Sequence, residues 1–191
     1  MDENTAVVRE RILDASDALF YGRGIQSASM DEIRTNAGVS LKSLYKVFPS
    51  KESIVLAVLR RRHDTWTSGV NERVGRETDP QKRLLAIYDY LSDWFADDSF
   101  RGCGFINAFG ELGSVSPAVA EAARVHKVSF QVTVASLVAE AGAPAELAPQ
   151  LAILAEGAQT TAAISGTADA AMHARRAGEV LITAAMAAAR P

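Results

Sequence analysis

Residues Ser29 to Glu52 read SMDEIRTNAGVSLKSLYKVFPSKE, and the fold follows from this stretch. Ser29 and Glu32 have the spacing of a capping box: the serine hydroxyl meets a helical N–H, and the glutamate reaches back to the serine N–H. A helix of about two turns then runs from Met30 to Asn36 and stops at Ala37-Gly38-Val39-Ser40. A small residue, a glycine and an apolar residue in that order suit a helix-turn-helix. The alanine lets two helices approach, the glycine makes the turn, and Val39 fills the corner. Ser40 is placed to cap a second short helix. Within it Leu44 and Phe48, four residues apart, face a core, leaving Lys42, Ser43, Tyr45 and Lys46 largely on other faces. Two cations, a hydroxyl and a phenol on one exposed surface suit phosphates and base edges.

Outward from this motif the chain keeps the punctuation of helices. Asp79-Pro80 and Ser116-Pro117 each place a capping side chain before a proline. Pro49-Ser50-Lys51-Glu52 opens another helix, and Gly22, Gly38, Gly142 and Gly166 are suitable stops. Strand-like alternation is scarce and no Asn-Gly or Asp-Gly turn occurs. The pattern predicts an all-α chain of about nine helices, at roughly 5–22, 29–36, 40–47, 50–75, 80–97, 103–112, 117–141, 148–165 and 169–189. In the first, Val8, Ile12, Ala15 and Leu19 form a core stripe with Leu13 and Phe20 beside it. Short helices with mixed charge give way after about residue 48 to long ones, and 21 of the 57 residues from Ala135 to Pro191 are alanine. Because Leu, Ile, Val and Met recur among those alanines, they read as packed helices.

The stretch from Gly24 to Ser53, with its AGVS turn, the Leu44-Tyr45 pair, Phe48 and the Phe-Pro-Ser-Lys-Glu exit, resembles the DNA-binding region of the TetR family of bacterial transcriptional regulators. By motif the resemblance covers about the first 60 residues, and beyond them only length and helical character. Arg34, where the family usually has a small residue, and Lys42, where it often has glycine, depart from the pattern; Lys42 adds a charge at a base-facing position. The resemblance implies a three-helix DNA-binding domain over 1–49 and a larger helical ligand-binding and dimerisation domain over 50–191. The helix beginning at Ser40 then enters the major groove. Lys42, Ser43 and Lys46 become candidates for base or phosphate contacts, Tyr45 for a phosphate through its hydroxyl, and Lys51 for the backbone. Ser29 offers a hydroxyl to another phosphate or serves only as a cap, and Leu41 either touches a thymine methyl or is simply exposed. Arg60-Arg61-Arg62 reads as a solvated face or as a further DNA contact.

Aromatics concentrate in the middle third. Trp94, Phe95, Phe100, Phe105, Phe109 and Phe130, interleaved with Asn107, His126 and Gln131, suit an apolar cavity with a few polar groups, or a plain bundle core. Trp94, Phe105, Phe109, His126 and Phe130 are the candidate effector contacts. Stripes of small residues, Ala155, Ala158, Ala162 and Ser165 and then Ala174, Gly178, Leu181 and Ala185, suit either a four-helix dimer interface or a close intrachain contact.

Bulk charge points elsewhere at first: 20 Lys and Arg against 23 Asp and Glu leave a net of -3. By region, residues 7–62 hold ten basic and six acidic side chains, while 63–191 hold ten and fifteen, so a basic head precedes an acidic body. The single Cys103 excludes an internal disulfide, and neither it nor the scattered His63, His126 and His173 has metal-ligand spacing, so no metal or cofactor is expected. The charge-free stretch Val128 to Ala139 is too short to span a bilayer, and the acidic start MDENTAVVRE is not that of a signal peptide. The expectation is a cytoplasmic, homodimeric, ligand-responsive regulator, a repressor that binds a palindromic double-stranded operator and releases it on binding a small molecule. The alternatives are an α-helical small-molecule-binding enzyme, for which Glu111 and His126 are the only pair to test, and an interaction protein without DNA binding.

Overall fold

A computed structural model describes residues 3–188. Among them the chain forms nine helices and no strand: α1 (Glu3–Arg23), α2 (Met30–Ala37), α3 (Leu41–Val47), α4 (Lys51–Gly75), α5 (Pro80–Phe95), α6 (Gly104–Leu112), α7 (Pro117–Glu140), α8 (Leu147–Ser165) and α9 (Asp169–Ala188). Residue 189, where the sequence pattern ends the last helix, lies outside the described residues. Two stops differ from expectation for local reasons. Gly22 stays within α1, and the left-handed residue that ends this helix is Gly24, at φ +92°. α5 stops at Phe95 because Asp97 turns the chain, its carboxylate accepting the Ser99 N–H (2.7 Å) and hydroxyl (2.6 Å).

The helices group into two compact units. One takes the chain up to Asp64 together with Gly104–Arg124, and the other takes Thr65–Cys103 and the chain from Val125 onward. In the first, α1 buries Ile12, Leu13, Ser16 and Phe20, whereas Val8, Ala15 and Leu19 are half-buried, so the core stripe is rotated from the one the sequence suggests. The rotation has an electrostatic counterpart. Arg61 donates to Asp14 (2.6 Å), and Arg62 donates to Asp17 (2.5 Å) while its guanidinium lies 3.7 Å from the Tyr21 ring centroid. The Arg60-Arg61-Arg62 run is therefore mainly a seam between α4 and α1; of the three, only Arg60 is exposed.

In the second unit α5, α8 and α9 pack on one another around Tyr88. Its hydroxyl donates to the Leu151 carbonyl of α8 at 2.9 Å, and a Cβ at Gly178 of α9 would come within 3.1 Å of its ring. Ala155, Ala158 and Ala162 of α8 and Ala174 of α9 are buried in the same core. Of the two uses open to the small-residue stripes, the intrachain one describes these residues, because small side chains let the helix axes close onto a tyrosine. Ser165 lies outside this contact and is exposed, while Leu181 and Ala185 are half-buried.

Candidate nucleic-acid interface

The head is assembled by caps of short range. Ser29 Oγ accepts the Glu32 N–H (3.1 Å), and Glu32 Oε2 accepts the Ser29 N–H (2.8 Å), completing the capping box at the start of α2. Gly38, at φ +61°, ends α2 in the left-handed conformation that a β-carbon disfavours. Ser40 then caps α3 by accepting the Ser43 N–H at 3.0 Å. On α3, Leu44 is completely buried and Phe48 nearly so. These anchors turn the other face outward, leaving Leu41, Lys42, Tyr45 and Lys46 exposed, Tyr45 with 48% of its surface open.

The hydroxyls are more committed than their sequence positions suggest. Ser29 Oγ also donates to Glu32 Oε2 (3.1 Å), and the Ser40 and Ser43 hydroxyls share a hydrogen bond of 2.8 Å. Lys51, at the start of α4, places Nζ 3.5 Å from the Gln26 carbonyl oxygen. Burial lowers the Lys51 pKa, against the opposing pull of the Glu111 and Glu32 carboxylates.

Two cations that sequence reasoning missed brace α3 from α1. Arg11 Nη2 donates to the Gly38 carbonyl at 2.9 Å, and the Arg9 guanidinium lies 4.7 Å from the Phe48 ring centroid. Arg11 thus holds the turn before α3, and Arg9 covers the residue at its end. Nothing local in the sequence announces these contacts, because the partners are distant along the chain.

Glu32 also gives the head a titration signature. The Ser29 backbone N–H, then the Arg23 guanidinium (3.0 Å) and the Ser29 hydroxyl hold its carboxyl down from the ordinary 4.5 to about 2. A lowered folded pKa means the stabilisation is fully present above pH 4.5 and is lost as pH falls towards about 2. An NMR titration of the Glu32 side chain is expected to show a midpoint near 2. A midpoint near 4.5 would mean that the capping box does not persist in solution.

The candidate effector residues divide between the units. Trp94, His126 and Phe130 gather in the second unit around Trp66, with ring centroids 5.3, 6.2 and 5.8 Å from it. Tyr90 joins them at 5.2 Å. Trp66 and Tyr90 were not singled out by the sequence, though each lies in a helix with the apolar spacing of a core face. Phe105 and Phe109 lie on α6 of the first unit, Phe105 buried and Phe109 55% exposed. No cluster of three or more metal-ligating side chains occurs among the described residues.

A short capped helix, a glycine turn and a second helix held by its apolar face while presenting cations define a helix-turn-helix protein of the regulatory type. Residues 12–58 match the family model of bacterial regulatory proteins of the tetR family, and residues 80–178 match the tetracyclin repressor-like C-terminal domain. The chain belongs to the TetR family, a family of transcriptional regulators and not of enzymes.

The HTH-type transcriptional activator FasR of Mycolicibacterium smegmatis is 41% identical over 91 residues, which cover 48% of this chain and 42% of FasR. The HTH-type transcriptional repressor KstR of Rhodococcus jostii is 31% identical over 84 residues, 44% of this chain and 39% of KstR. The chain thus spans about two-fifths of the length of these curated relatives. Over nearly the whole chain, a TetR-family transcriptional regulator from Streptomyces coelicolor superposes with a TM-score of 0.87 at 25% identity, covering 94% of this chain and 96% of that one.

Proposed function

We propose that this chain is a homodimeric, ligand-responsive repressor that reads a palindromic operator through α3 and releases it when a small molecule binds. The observation that carries the reading is the division of α3: Leu44 and Phe48 are sunk in the core, while Lys42, Tyr45 and Lys46 stand on the exposed side. Two lysines and a phenol are donors for phosphate oxygens and guanine edges, and Leu41 beside them suits a thymine methyl. Ser29 and Ser40 contribute first as caps, Ser43 is bonded to the Ser40 hydroxyl, and all three contribute secondarily as phosphate donors. Lys51, turned towards the chain between α1 and α2, reaches the backbone from the start of α4.

One such helix reads few base pairs, and two held about one DNA turn (~34 Å) apart read a palindrome. The outward faces of α8 and α9 support pairing. Ile153 and Ile164 are 70% and 83% exposed on one side of α8, with Gly157 and Thr160 between them, and Val180 is 68% exposed on α9. Apolar residues left open beside a small one suit a second copy of the same helix pair. The aromatic cluster of Trp66, Tyr90, Trp94, His126 and Phe130 in the second unit supports an effector region rich in ring surface. No helix among the described residues is long and apolar enough to cross a membrane. A free, buried Cys103 is compatible with the reducing cytoplasm in which a regulator meets DNA.

The test is selection of bound sequences from random double-stranded DNA by the purified chain. A palindrome with half-sites about one helical turn apart, or a multiple of it, is expected. Recovery of an unpaired half-site would remove the dimer, and no enrichment would remove DNA reading.

A further inference from the structure

α6 is fastened to the rest of the first unit at both ends. At its start Gly104 lies against the stem of Arg62, where a Cβ would come within 3.2 Å of Cδ, and Arg62 is itself fixed by Asp17 and Tyr21. Towards its end, the Glu111 carboxylate accepts two consecutive backbone N–H groups, from Ile25 (2.9 Å) and Gln26 (2.8 Å). The Gln26 side-chain amide returns a bond to the Glu111 carbonyl at 2.8 Å. Gly24 makes the approach possible: its φ is +92°, and a Cβ there would sit 3.2 Å from both carboxylate oxygens. Gln26 therefore gives its N–H to Glu111, while its carbonyl lies towards Lys51.

Residues 24–26 belong to the connection between α1 and α2, so α6 grips the head where its second helix is about to begin. Between the two fastenings the seam is incompletely filled. A gap of about 20 Å³ remains among Phe20, Ile25, Val55, Leu59 and Ala108, room for about one water molecule. A helix held by hydrogen bonds at its Glu111 end and lying over such a gap shifts at less cost than one packed at core density.

We propose that Glu111 is the positioning residue through which α6 sets the 24–26 connection, and with it the pose of α2 and α3 on DNA. The proposal rests on the DNA-reading function above. Coupling of this kind is reciprocal: a displacement of α6 changes DNA affinity, and DNA binding steadies α6.

The experiment is amide hydrogen exchange on the full chain, wild type and Glu111→Ala, with and without the duplex recovered by site selection. In the free variant, exchange at the Ile25 and Gln26 amides is expected to rise about tenfold, the scale of a lost charge-assisted hydrogen bond. Leu44 should keep its protection, showing that the head remains folded. DNA should slow exchange across α6 in the wild type and fail to do so in the variant, a readout that simple destabilisation of the head would not produce. Glu111→Gln, which keeps the size and one acceptor oxygen, should give a smaller loss of the same sign and serves if the alanine variant does not fold. Equal slowing of α6 in wild type and variant, or none in a wild type that binds the duplex, would overturn the role of Glu111. A wild type that binds no DNA would overturn the functional reading, and the coupling with it.

Discussion

Replacing Lys42 and Lys46 together with alanine should lower affinity for the selected duplex by at least about a hundredfold near 0.1 M salt. A base contact of a lysine is worth about 1–3 kcal/mol, and each phosphate contact adds a counterion-release contribution. The proposed dimer would lose four ammonium groups, so the slope of log K against log salt should become shallower by roughly 2 to 4, depending on how many of the four meet phosphate. The substitution should leave the fold intact, because both side chains are exposed and α3 is held by Leu44 and Phe48. Fluorescence anisotropy titrations from roughly 50 to 200 mM salt measure both quantities, a range over which phosphate-dependent binding falls by orders of magnitude. Affinity within a factor of two, with an unaltered slope, would take α3 out of the interface.

Arg61 provides the control for that experiment. It is also a cation of the first unit, yet it donates to Asp14 at 2.6 Å and belongs to the contact between α4 and α1. Arg61→Ala should therefore cost stability while leaving the salt slope in place. Overall basic character does not distinguish the two cases; the partner already held by each cation does.

The same distinction explains what could be read in the sequence. Caps and turns close within three or four residues, so Ser29 with Glu32, Gly38, Ser40 and Asp79 carry their own signal, and the structure places each as a cap or a stop. The exposed face of α3 was legible for a related reason: burial of Leu44 and Phe48 dictates where Lys42 and Tyr45 point. Contacts between distant segments were not legible. Glu111 reaches Ile25 across 86 residues, and Arg11 reaches Gly38 across 27. Each depends on how whole helices pack, which the pattern of apolar residues constrains only to a face. α1 illustrates the limit. Val8, Ile12, Ala15 and Leu19 do lie on one stripe, but salt bridges and a cation–π contact to α4 accompany a rotation that buries Leu13, Ser16 and Phe20 with Ile12. The alanines of α8 were visible as a stripe, but the residue they make room for, Tyr88, lies on another helix. The exposed residues of α3 were thus read from local spacing, whereas Trp66 emerges only once its helix meets the others of the second unit.

Tyr88 should be the most sensitive single position in the second unit. It is 1% exposed, its ring lies against Gly178 of α9, and its hydroxyl reaches the Leu151 carbonyl of α8. Burial pushes its phenol well above the ordinary value, so the group stays protonated and donates throughout the physiological range. Tyr88→Ala removes a ring from a core whose neighbours are already small. Ala155 and Ala158 carry only a methyl and Gly178 no side chain, so none can reach into the void and little collapse can offset the loss. A destabilisation of about 3–5 kcal/mol is expected, the range for truncating a buried aromatic. Tyr88→Phe keeps the ring and gives up only one hydrogen bond, for about 1 kcal/mol. Denaturant unfolding of the three proteins, with equal m values as the check on comparable transitions, measures the ordering. If alanine cost no more than phenylalanine, the small-residue faces of α8 and α9 would not be packed on Tyr88, and those stripes would again be available for contact between subunits.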